Sequence, residues 1–306
     1  MRGRNRLMDQ IATKLNMVAP AAIPGVNEEL LIGKAKKGRF EMFLLSLSGG
    51  AFIGLGFIFF TTSQMGAGAV EWYGATKVVG GLVFSVGLVL VALTGGDLFT
   101  STTMSVVPLI RKKLTGAQWI SHWVTVYIGN IIGAVGLATL VYLGGTHLQG
   151  NGAWGAVTLT SALAKVSHTW VQAFVLGILA NLAVCLAIYT SNAGRSLADK
   201  LLAITGPIAL FVSTGFEHSV ANMFMIPMGL IVKNFGGERF WGSQAVQDLG
   251  LTPDMFSELT VQAFFLNNLV PVTLGNIVGG SVLVAIYYWA AYLRPHDKAA
   301  RTGATA

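Results

Sequence analysis

The chain has 306 residues, 53% of them hydrophobic and only 11% charged, and its mean hydropathy is +0.64. An ordinary soluble domain carries roughly 25% charged residues, so this balance excludes one and places the chain in a membrane. The formal charge of +7 comes from basic residues crowded beside the apolar runs, which makes it a topology signal and argues against a nucleic-acid partner.

Residues 1–12 carry Arg2, Arg4 and Arg6, but no apolar stretch with a small-residue cleavage site follows, so no cleavable signal peptide is expected. Residues 13–41, with Glu28, Glu29, Lys34, Lys36, Lys37 and Arg39, read as an amphipathic cytoplasmic helix, solvated and lying on the anionic leaflet, within an N-terminal segment 1–42. A hydrocarbon core about 30 Å thick needs about 20 apolar residues per crossing. Clean runs of this kind fall at 43–62, 119–143, 168–190 and 268–293. Two further regions are interrupted. Residues 78–110 hold an apolar run, then TGGDLFTST, then a short run to Pro108; residues 197–232 hold a run, then STGFEHS, then a short run containing Pro227. The spacing therefore predicts six crossings in a channel domain over 43–293, the second and fifth broken, followed by a short cytoplasmic tail over 294–306. Sixteen Lys and Arg residues fall on one side of these crossings, against Lys77, Lys165, Lys233 and Arg239 on the other. The positive-inside rule then puts both termini in the cytoplasm. The single cysteine, Cys185, sits in an apolar run and reads as packing.

The broken elements resemble each other. TGGD at 94–97 precedes Pro108 as TGFE at 214–217 precedes Pro227, and GNIIG at 129–133 in the third crossing matches GNIVG at 275–279 in the sixth. The matches keep their order in both halves. Three crossings per half is an odd number, so the halves enter the membrane in opposite directions, giving an inverted 3+3 repeat with a permeation site expected near the midplane. Non-helical backbone at membrane depth survives only where protein buries it or where it lines a cavity, so both loops face inward. Gly95, Gly96 and Gly215 supply the backbone freedom a loop needs, and the half-helix beyond each loop points its positive end at the site. An ionised acid at the centre of a span costs about 2.5–3.5 kcal/mol, so Asp97 and Glu217 must be compensated. The expectation is that each braces its loop by accepting hydrogen bonds from that loop's own unwound backbone.

GGDLFTST at 95–102, NLAVCLA at 181–187, GRSLADK at 194–200, GFEHSVANMFMIPMG at 215–229 and LVPVTLGNIVGG at 269–280 resemble the formate/nitrite transporter family over approximately residues 28–294. The resemblance is to its formate-channel branch rather than to the nitrite or hydrosulfide branches. It implies an all-α, aquaporin-like protomer of six transmembrane helices in a bacterial inner membrane, assembled as a homopentamer with one pore per protomer. Small monovalent anions, formate first, are the implied permeants, with nitrite or hydrosulfide as the alternative; no cofactor is implied. Carried over by motif, Thr100 and His218 form the central polar pair, Asn181 is a pore asparagine, and Lys165 is the basic residue near the outer vestibule. Phe84, Leu88, Leu98, Phe99 and Phe211 match the apolar constrictions. One departure is visible, since Ser167 precedes His168 where many formate channels carry two histidines.

A bare carboxylate is heavily penalised in an apolar constriction and a neutral acid much less. Imidazole, with an unperturbed pKa of about 6.5, can exchange a proton in the working range. Two readings of His218 therefore stay open: it passes a proton to formate, which crosses as formic acid, or it only donates a hydrogen bond. The other histidines, His122, His147, His168 and His296, lie at span ends or in loops without zinc-ligand spacing, so no metal is expected. Asn130 and Asn276 read as packing or loop-bracing residues. A water or glycerol channel would need paired Asn-Pro-Ala loops, which are absent. An intramembrane hydrolase built on Ser213, Ser219 and His218 would lack the usual GxSxG nucleophile turn, and no enzymatic activity is expected.

Overall fold

Residues 17–69, 71–295 and 297 are described by the computed structural model. Residues 1–12, where no cleavable signal is expected, the first residues of the 13–41 segment, His296 and nearly all of the tail beyond Arg294 lie outside the described residues. Every described element is helical: α1 (Ile23–Ala35), α2 (Arg39–Gln64), α3 (Tyr73–Thr94), α4 (Phe99–Ile110), α5 (Gly116–Leu143), α6 (Ala153–Val166), α7 (Trp170–Ser191), α8 (Leu197–Ser213), α9 (Ser219–Phe235) and α10 (residues 261–293). Helices α2, α3, α5, α7 and α10 are long and apolar enough to cross a membrane, and α4 and α9 are shorter apolar helices, each following a break after α3 or α8. Large apolar side chains such as Leu82, Ile128, Leu140 and Leu202 face outward, as a lipid-facing surface requires.

Local chemistry sets the helix ends. Thr115 with Gln118, Thr169 with Gln172 and Ser196 with Asp199 form reciprocal caps at the starts of α5, α7 and α8. Helix α3 stops at Gly95, whose φ of +80° is left-handed, and the turn after α8 places Gly215 at φ +75°. Each break is closed alike: Gly96 N–H reaches back to Val91 O, and Phe216 N–H to Phe211 O, both at 3.0 Å. In α10, residues 264–269, 279–286 and 289–293 widen into π turns, which bend the helix.

Two parts of the chain differ from the expectation. Helix α6 falls in a region read as loop, because fourteen residues are too few to span a membrane; it packs on α9 and positions Lys165 near its C-terminal end. Helix α1, within the segment read as 13–41, is not merely solvated. It docks on the bundle, burying Ile23, Leu31 and the carboxylate of Glu28, which is bonded by Arg111 and, at 2.8 Å, by Lys113. Arg111 also forks onto Asp297 beyond α10. Burial opposes the Arg111 charge, but the carboxylates of Asp297 and Glu28 outweigh it and raise its pKa above the ordinary arginine value. The pairing joins residues far apart in sequence, so amphipathic periodicity alone could not reveal it.

The GNIIG and GNIVG stretches are close helix contacts. A side chain at Gly129 or Gly133 would run into α2 at Ser46 or Leu47, and one at Gly275 or Gly279 into α7 at Phe174 or Ile178. Backbones this near leave no room for a Cβ. Gly275→Val is accordingly expected to cost about 3 kcal/mol or more through forced separation of α7 and α10, seen as loss of folded protein in detergent relative to wild type. Gly206→Val, at a position open to space, should be recovered normally.

Candidate functional site

The two loops between half-helices meet in the interior. Leu98 and His218 are the N-cap residues of α4 and α9, with nearly identical extended backbones. Asp97 N–H donates to Leu45 O of α2 at 3.0 Å, and Glu217 N–H donates to Leu176 O of α7 at 3.3 Å. The remaining backbone groups are gathered by two asparagines. Asn130 Nδ2 donates to Ser46 O and Asp97 O while its Oδ1 accepts from Phe99 N–H. Asn276 repeats the pattern, donating to Gly177 O and Glu217 O and accepting from Ser219 N–H. Both amides are fully buried. The brace expected from Asp97 and Glu217 is thus made by Asn130 and Asn276, because a carboxylate can only accept whereas an amide serves the carbonyl and the N–H of the same loop.

The acids find cations instead. Glu217 receives Lys165 Nζ at 2.9 Å on Oε1, and Asn222 and Asn268 amides at 2.6 and 3.0 Å on Oε2. Asn268 also donates to Lys165 O at 2.8 Å, tying α10 to the end of α6. Asp97 meets Lys34 Nζ of α1 at 2.8 Å, and that ammonium also bonds Gly96 O. Lys34, Asn222 and Asn268 were not expected from the sequence; the one visible signal is two adjacent asparagines, Asn267 and Asn268, in an otherwise apolar run.

His218 Nε2 lies 2.9 Å from Thr100 Oγ1, and both residues are buried. The Nδ1 atom accepts Ala221 N–H at 3.0 Å, so the proton of the neutral ring sits on Nε2 and is donated to Thr100. Neither Ser213, which bonds Leu210 O, nor Ser219 is paired with the imidazole. Asn181 does not join the Thr100–His218 contact through its side chain. It donates to Thr100 O, Thr103 Oγ1 and Asn276 O, fixing the start of α4 from behind.

Around this contact the walls are apolar. Phe211 stacks on His218 at 5.7 Å and meets Phe84 edge to face at the same separation. Leu88 and Leu98 are buried with them, whereas Phe99 rests against Trp123 and Tyr127 of α5. Two cavities approach the contact. One of about 250 Å³ is bordered by Lys77, Lys165, Gly215, Glu217 and His218, the other of about 210 Å³ by Lys34, Gly95, Gly96, Ser101 and Lys200.

Broken helices meeting inside an apolar multi-pass bundle, with a cavity against each loop, define a membrane channel or transporter. The sequence profile of the formate/nitrite transporter family matches residues 28–290. The chain is 45% identical over 282 residues to the formate channel FocA of Escherichia coli K12, covering 92% of this chain and 97% of that one. It is 42% identical to FocA of Haemophilus influenzae, covering 90% and 95%. A solved pentameric formate channel with formate bound superposes with a TM-score of 0.75 at 40% identity, over 84% of this chain and 98% of the other. This chain belongs to the formate/nitrite transporter family.

Asp97 is wholly buried and, unlike Glu217, has no amide donor to its carboxylate among the described residues. Lys34→Met should therefore destabilise the protein by about 1–3 kcal/mol, less than a fully enclosed pair because Lys34 is 28% exposed. Adding Asp97→Asn should recover most of the loss. Thermal unfolding in detergent of the single and double variants measures both effects.

Proposed function

We propose that the chain is a formate channel that also admits related small monovalent anions, working as a homopentamer in a bacterial inner membrane with both termini cytoplasmic. The observation that carries this reading is the Thr100–His218 contact, a polar bridge that joins the two loops between two cavities, with Phe84, Leu88, Leu98 and Phe211 buried around it. The orientation rests on the sixteen-to-four bias of basic residues. The pentamer rests on the solved relative, which is pentameric, and on the outward-facing apolar side chains. Inverted halves are supported by the paired hydrogen bonds of the two loops.

Formate leaves water in a cavity where Lys165 is already ion-paired with Glu217, and then meets the Nε2–H of His218 and the hydroxyl of Thr100. Protonating the ring would require Nδ1 to give up its bond from Ala221 N–H. The geometry thus favours His218 as a neutral donor over His218 as a proton carrier. The apolar rings still penalise a bare carboxylate, so the proton that neutralises formate comes from solvent in the vestibule.

Flux into proteoliposomes across a range of pH tests the role of His218. His218→Phe should lower formate flux at least tenfold at every pH, while His218→Asn, which keeps an N–H donor, should retain part of it with an unaltered pH profile. A profile flattened in His218→Asn would place the proton on the imidazole and overturn the donor role. Native mass spectrometry should give an assembly five times the 32.3 kDa of the chain.

A further inference from the structure

The lysines nearest the two loops carry little net charge into the cavities, because Lys165 is neutralised by Glu217 and Lys34 by Asp97. Each cavity holds a second lysine. Lys77 borders the cavity of the Glu217 loop; its ammonium lies 5.1 Å from the centre of the Tyr73 ring, and no carboxylate lies within ion-pair distance among the described residues. Lys200 borders the cavity of the Asp97 loop and likewise has no carboxylate partner among the described residues. Its neighbour Asp199 is committed to the backbone N–H groups of Arg195 and Ser196. The two lysines hold corresponding places, Lys77 near the start of α3 and Lys200 near the start of α8, the first halves of the two broken crossings. The other charged or titratable groups bordering the first cavity are Lys165, His168, Glu217 and His218; in the second, Lys34 is the other one.

We infer that Lys77 and Lys200 are the anion-collecting residues of the two vestibules, each supplying the uncompensated positive charge that concentrates permeant on its own side. The inference rests on the channel reading above. An unpaired cation in a narrow, low-dielectric mouth raises the local anion concentration without selecting among anions. Discrimination then stays with Thr100 and His218. Because the charge stabilises permeant in one vestibule, its loss acts on half-saturation from that face and leaves half-saturation from the opposite face unchanged.

Right-side-out and inside-out membrane vesicles carrying the full-length protein separate the faces. At about 0.01 M ionic strength, Lys77→Gln should raise the half-saturating formate concentration from the outer face by roughly two- to fivefold and leave the inner face unchanged. Lys200→Gln should do the reverse. At about 0.15 M the differences should shrink, and Lys77→Arg and Lys200→Arg should behave as wild type. Unchanged half-saturation, a fall in maximal flux alone, a salt-independent effect or an effect on both faces would overturn the inference. Wild-type vesicles that pass no formate would instead sink the channel reading itself, an outcome told apart by the wild-type control.

Discussion

The structure depends on satisfying unwound backbone where water is scarce. Each break frees N–H and C=O groups that would cost several kcal/mol apiece in hydrocarbon. Asn130 and Asn276 answer this by bonding a neighbouring helix carbonyl, the loop carbonyl and the first N–H of the following half-helix. An amide can do this only if its helix comes within hydrogen-bond reach of both the loop and the flanking helix. The glycines on either side of each asparagine, at 129 and 133 and at 275 and 279, allow that approach. The Gly-Asn stretches and the broken crossings are therefore one device.

With the backbone held by amides, the acids are free for a different task. Asp97 and Glu217 are buried carboxylates, so each requires a cation, and each draws one from outside the broken crossing: Lys34 from the N-terminal helix and Lys165 from the end of α6. The pairs anchor these peripheral helices at the two mouths. They differ in security. Glu217 retains two amide donors if Lys165 withdraws, whereas Asp97 depends on Lys34, so the mouth covered by α1 is the more sensitive to rearrangement of its own cover.

Much of this architecture was legible in the sequence because membranes restrict the choices. Hydropathy located the crossings, the TGGD and TGFE interruptions located both loops, and motif resemblance singled out Thr100 and His218, which lie in contact. What the sequence hid was pairing across long separations. Glu28 with Arg111, Asp97 with Lys34, and Glu217 with Asn268 join residues with no shared period or motif. Helix α6 was missed because a window of about 20 residues passes over an apolar helix of only 14. Asp97 and Glu217 were given the bracing task because an acid beside an unwound loop suggests a local acceptor; the need for a donor to the loop carbonyl, which no carboxylate meets, assigns that task to the asparagines.

The two broken crossings depart from each other where their loops meet. The loop hydrogen bonds set Leu98 against His218 and Thr100 against Val220 as corresponding positions. Two faithful copies of either half would lack the contact, because one half carries no histidine and the other no threonine at these positions. Two imidazoles would make a wet, strongly binding centre that holds its occupant, and two leucines a dry one that admits no anion. Exchanging one N-cap for histidine and one following position for threonine gives a single bridge with one donor from each half. On the proposed function, such a centre would compensate part of the permeant's lost hydration while remaining weak enough for release, which is what conduction requires.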